Sequence, residues 1–128
     1  MHNYHNLQIW QNSMDIVQNI YEMVAMFPIT EKYGLSSQIT RAAVSIPSNI
    51  AEGAGRNSTK EFSYFIGIAI GSMFELETQV LIAERVGYIG NEQSQQFQTS
   101  IHNLQRMTTG FLKNLDNKSN STEHDQTT

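Results

Sequence analysis

A chain of 128 residues, 39% of them hydrophobic, has the size of one domain and enough apolar side chains for a single core. The absence of cysteine excludes a disulfide framework, a thiolate metal site and a cysteine nucleophile. A net charge of −4 lacks the positive footprint by which most nucleic-acid-binding domains neutralise phosphates.

The amino terminus, MHNYHNLQIW, has neither the basic start nor the apolar core of a signal peptide, so a cytoplasmic location is expected. In the first segment Ile9, Met14, Val17, Tyr21, Val24 and Phe27 recur at intervals of three to five before Pro28, which predicts a helix over 7–27. Leu35, Ile39, Ala42, Ile46, Ile50 and Gly53 then step at the helical period and predict a second helix over 31–56. Ser58 and Glu61 have the spacing of a capping box, and Phe62, Phe65, Ala69, Met73, Leu76, Val80 and Ala83 follow to a stop at Gly87. They predict a third helix over 59–87. A fourth, over 91–115, is marked by Phe97, Ile101, Leu104, Met107, Phe111 and Leu115. Residues 116–128 are polar without apolar spacing and read as a disordered tail. Strand-like alternation is absent. The expectation is an all-α fold, an up-down-up-down four-helix bundle. The uninterrupted apolar run from Tyr64 to Phe74 is shorter than the roughly 20 residues needed to cross a bilayer, so a buried helix and no membrane partner are expected.

Helices two and three carry more small and apolar residues than one core face requires. Projection at 100° per residue places Val44, Pro47, Ala51 and Gly55 on the side of helix two away from its core stripe, and Tyr64, Gly67, Gly71 and Phe74 on a second face of helix three. An interior glycine costs about 1 kcal/mol and an interior proline about 3 kcal/mol relative to alanine, so something must offset these residues. Close approach of a neighbouring backbone does so, and these eight residues are the candidate subunit interface of a homo-oligomer. The alternative is that the small residues are tolerated at the surface and Pro47 bends helix two around its own core.

The run FPITEKYGLSSQITRAAVSIPSNIAEGAGR, followed by EFSYFIGIAIGSMFELET, resembles the four-helix-bundle family encoded in intervening sequences of bacterial 23S rRNA, and LQIWQ from Leu7 resembles that family's start. The resemblance covers most of the chain and implies a small bundle assembling as a ring-like homo-oligomer, a homopentamer. It also relates the chain to the accessory variability protein of diversity-generating retroelements, which works with a reverse transcriptase and binds nucleic acid through a basic surface. The family as a whole has no established biochemical role.

Only the segment 29–56 is net positive, and Arg41 and Arg56 are the candidate nucleic-acid contacts. The competing reading pairs Arg56 with Glu52 one turn earlier and Arg41 with Glu75 or Glu77 on helix three. No glutamate has a histidine three positions on, as di-iron bundles require, and His102 stands alone on helix four. Ser45 and Ser48 lie beside Glu52 without a histidine and read as hydroxyls bonding carbonyls freed by Pro47. No catalytic residue, metal or cofactor is expected. The sequence thus points to a non-enzymatic assembly module, self-associating and accessory to nucleic acid or a ribonucleoprotein, with weak binding of RNA or DNA; the alternative is a protein-only scaffold.

Overall fold

The computed structural model describes residues 2–127, with side chains through Asn120. Four helices follow one another: α1 (Gln8–Val24), α2 (Leu35–Ala54), α3 (Thr59–Arg85) and α4 (Asn91–Thr127), with short 3-10 turns at Tyr4–Asn6 and Ile29–Glu31. No strand occurs among the described residues. α2 and α3 pack together most extensively, then α3 with α4 and α1 with α2, while α1 and α4 touch least. The helices therefore run round the bundle in chain order.

The boundaries follow from local chemistry. The Ser58 hydroxyl accepts from the Glu61 backbone N–H at 3.1 Å and caps α3. At the other end Gly87 has φ +85°, a left-handed conformation that glycine adopts without strain. The N–H of Gly87 bonds Glu84 O at 3.0 Å and that of Tyr88 bonds Ala83 O at 2.9 Å, the paired closure of a Schellman motif. α2 meets α3 so tightly at its end that a Cβ on Gly53 would lie 2.9 Å from both Phe62 Cδ1 and Phe65 Cβ.

The core combines one stripe from each helix. On α2 it is Ile39, Ala42, Ile46 and Ile50, on α3 Phe62, Ile66, Ala69, Met73, Leu76 and Val80, and on α4 Phe97, Ile101, Leu104 and Leu115. On α1 it differs from the expected series. The buried residues are Ile9, Ser13, Ile16, Ile20 and Met23, followed by Phe27, whereas Met14 and Tyr21 are exposed and Val17 and Val24 are half-buried. α1 has two apolar faces, and the buried one keeps an unbroken alternation of four and three only if serine is admitted. Ser13 fits because its hydroxyl donates to Trp10 O at 2.7 Å and reaches the core without an unmet bond.

A second difference lies at the carboxyl end. α4 continues past Leu115 to Thr127, so 116–127 are helical where a disordered tail was expected; Thr128 lies outside the described residues. Loss of apolar spacing removes the packing force but is not a stop signal. No glycine or proline interrupts the chain from Leu115 to Thr127.

α3 contains an 18-residue window of mean hydropathy 1.5 and is long and apolar enough, by length and composition, to cross a membrane. Here one side of it supplies the bundle core, and its other side is the surface described next.

Candidate assembly surface

α3 has 27 residues and so spans about 40 Å. With one side packed between α2 and α4, the other presents Tyr64, Gly67, Ile68, Gly71, Phe74, Thr78, Leu81 and Ile82 outward, spaced at the helical period. Tyr64 is 66% and Phe74 55% exposed. A Cβ on Gly67 or Gly71 would meet nothing within 4 Å, so no intrachain contact requires glycine at either position. The two glycines leave a shallow floor between the aromatic rings. No Asp, Glu, Lys, Arg or His occurs between Phe62 and Phe74. A contiguous outward face of this kind marks an interaction surface more often than scattered exposed leucines do.

The candidate residues of α2 behave otherwise. Pro47 is buried, Ala51 half-buried and Val44 exposed, and together with Tyr4, Trp10, Met14, Val17 and Ser48 they line a groove of about 300 Å³ between α1 and α2. This corrects the expectation that the second face of α2 lacks an intrachain partner: α1 crosses it. Gly55 is exposed at the end of α2, where its N–H bonds Ala51 O at 3.1 Å. The structure therefore does not bring the eight candidate residues together. Four share the outward face of α3, and three lie along a groove on the other side of α2.

Of the two serines beside Pro47, Ser45 differs from expectation. The Ser45 hydroxyl lies 2.9 Å from that of Ser72 on α3 and accepts from Asn49 Nδ2 at 2.9 Å, forming a polar link between helices.

Arg56 is held twice, by Glu52 Oε1 at 2.6 Å and with its guanidinium 4.8 Å from the centre of the Phe65 ring. Arg41 is exposed and makes no ion pair among the described residues. Its expected partners are engaged elsewhere. Glu75 accepts from Gln79 Nε2 at 3.1 Å, and Glu77 lies 2.9 Å from His102 Nε2 and accepts from Gln105 Nε2 at 2.8 Å.

This last cluster was not legible in the sequence, where His102 stands alone. Position 77 lies 8 residues before the end of α3 and position 102 lies 11 after the start of α4, so only the packing of the two helices against each other brings them together. Partial burial pushes the Glu77 carboxyl up, but the hydrogen bonds from Gln105 and His102 and the imidazole charge outweigh it and hold the group below the ordinary carboxylate range. Among the described residues, no group of three or more His, Cys, Asp or Glu side chains is placed to hold a metal ion.

Helices in chain order around one core, with an exposed apolar face on α3, define an all-α four-helix bundle. The chain belongs to the 23S rRNA-intervening sequence protein family, whose model matches residues 5–110. Among solved structures it is similar to a protein of unknown function from the S23 ribosomal protein family of Bacteroides thetaiotaomicron, with a TM-score of 0.75 and 22% identity over 82% of this chain and 98% of that chain. At that identity the likeness bears on the fold. No curated protein matches the chain.

Proposed function

We propose that the chain is a non-enzymatic assembly module, a four-helix bundle that self-associates through the outward face of α3 into a ring-like homo-oligomer. The resemblance sets five chains as the number to test. The observation that carries the reading is the uncharged stretch Phe62–Phe74, whose outward residues are exposed although they are as apolar as a core. Burying Tyr64 and Phe74 against another copy removes that surface from water at about 25 cal/mol per Å², and Gly67 and Gly71 let a neighbouring element approach closely.

A protein-only scaffold fits the charges better than an accessory for nucleic acid, because Arg56 is tied to Glu52 and stacked on Phe65. One observation favours the second reading: Arg41 is exposed and makes no ion pair among the described residues. Repeated round an oligomer, it places one exposed guanidinium per chain on a common surface.

Light scattering on the full chain tests the proposal. The unmutated protein is expected as an oligomer at micromolar concentration. Tyr64→Asp with Phe74→Asp is expected to give a mass near one chain while far-ultraviolet circular dichroism stays helical, because both residues point away from the core. A monodisperse monomer for the unmutated chain contradicts the proposal. Salt-sensitive binding of a single-stranded oligonucleotide that Arg41→Glu abolishes selects the nucleic-acid reading over the scaffold.

A further inference from the structure

A concave pocket of about 570 Å³ lies where the end of α1, the connector 25–34 and the first turns of α2 meet. Its volume falls within the roughly 300–1,000 Å³ of organic-ligand sites. Phe27, which is buried, and Val24, which is half-buried, line its deeper part. Tyr21, Ile29 and Tyr33 stand at its sides and are 55%, 82% and 90% exposed, so much apolar surface beside the recess is left to be covered.

The pocket carries one charge. Lys32 lines it, with Nζ 5.5 Å from the centre of the Tyr33 ring, and makes no ion pair among the described residues. No Asp or Glu lines it. The neighbouring carboxylates are engaged elsewhere: Glu31 accepts from the Tyr88 hydroxyl at 2.8 Å and from the Leu35 N–H at 3.4 Å, and Glu22 lines a separate groove shared with α4. Ser36 and Ser37 add two hydroxyls to the lining that have no partner among the described residues. The Thr40 hydroxyl, by contrast, donates to the Ser36 and Ser37 carbonyls at 2.9 and 3.0 Å.

The recess is also held open by the fold. The Phe27 ring centre lies 5.3 Å from that of Tyr88, and the bond from Tyr88 to Glu31 ties this connector to the one between α3 and α4. A site fixed in advance loses less freedom when it binds.

We propose that this pocket binds a small organic monocarboxylate with an apolar or aromatic body. The carboxylate meets Lys32 and accepts from the hydroxyls of Ser36 and Ser37, while the body lies over Phe27 and Val24 between the two tyrosines. The polar groups select among ligands. One ammonium balances one negative charge, whereas a phosphate monoester carries about −1.5 to −2 at neutral pH and would keep unneutralised charge over an apolar lining. A neutral apolar molecule would cover the ammonium and the hydroxyls without meeting them. The end of a peptide chain has the same carboxylate but also brings N–H donors, and no carboxylate or amide side chain lines the pocket to accept them. None of these residues belongs to the outward face of α3, so the inference stands apart from self-association.

Three probes test it on the full chain, by saturation-transfer nuclear magnetic resonance and titration calorimetry: phenylbutyrate, phenylbutanol, and a leucine–phenylalanine dipeptide acetylated at its amino end. Phenylbutyrate is expected to bind saturably, and phenylbutanol about tenfold or more weakly by comparison, since it lacks the charge-assisted bonds. Lys32→Met, which keeps the apolar stem, should weaken phenylbutyrate about tenfold and leave phenylbutanol unchanged. Tyr33→Ala should weaken both. Lys32 and Tyr33 are exposed, and circular dichroism verifies that the variants stay helical. No saturable binding of phenylbutyrate at millimolar concentration overturns the proposal, as does equal binding of the alcohol or indifference to Lys32→Met. Tighter binding of the dipeptide overturns it in favour of a protein chain's terminus.

Discussion

Gly53 shows how much a single position depends on geometry that no spacing rule supplies. It falls on the apolar stripe of α2, and there the sequence reading stops. In the bundle its missing side chain is what lets α3 start against α2, with Phe62 and Phe65 each 2.9 Å from where a Cβ would be. Both atoms belong to packed side chains near the backbone, so neither moves out of the way easily. Gly53→Ala gains helix propensity of about 1 kcal/mol, yet overpacking of this kind costs about 1–3 kcal/mol. The expected outcome is net destabilisation, read as a lower denaturant midpoint with an unchanged slope. Gly71→Ala, with open space around it, is expected to keep the monomer's midpoint or raise it, and the pair of variants separates steric need from propensity.

Individual elements were legible to different degrees, for reasons that can be named. α3 was plain at both ends because its stop and start are local chemistry: Ser58 bonds Glu61 N–H, and Gly87 takes the left-handed turn. α1 was legible as a helix but not in its facing. Met14, Val17, Tyr21 and Val24 form as good a helical series as Ile16, Ile20 and Met23, and only the neighbouring helices decide which one is covered. α4 was cut short because apolar spacing reports packing, not helicity. The side chains of Asp116, Asn117 and Lys118 are exposed, so this stretch is helical without burying apolar surface. Ending the chain after Lys118 is therefore expected to shift the unfolding free energy by less than about 0.5 kcal/mol, as for surface changes generally. The helical signal should fall by the contribution of the residues removed. A large loss of stability would show that this end of α4 packs on something, a partner chain included.

At the scale of the whole molecule, the structure divides what the sequence presented as one property. Small and apolar residues on α2 and α3 look alike in projection, because a helical wheel records which side a residue occupies and not which neighbour stands there. Pro47 and Ala51 face α1 within the chain, and on the second face of α3 a Cβ at Gly67 or Gly71 would meet nothing among the described residues. Bulky replacement should therefore act differently at the two places. Ala51→Trp forces an indole into the groove lined by Trp10, Met14 and Val17, so it is expected to strain the bundle itself, at about 1–3 kcal/mol. Gly71→Leu adds its side chain where a Cβ meets nothing, so the isolated bundle should keep or gain stability while the oligomer is lost. Concentration separates the two effects. Self-association stabilises the folded chain by mass action, so the unmutated protein's melting temperature should rise with protein concentration, and that of Gly71→Leu should not. Ala51→Trp should melt lower at every concentration yet keep the upward trend, since the face that joins copies is untouched. If both variants lose the trend equally, the groove between α1 and α2 is part of the subunit contact, and the division between an inner and an outer small-residue face fails.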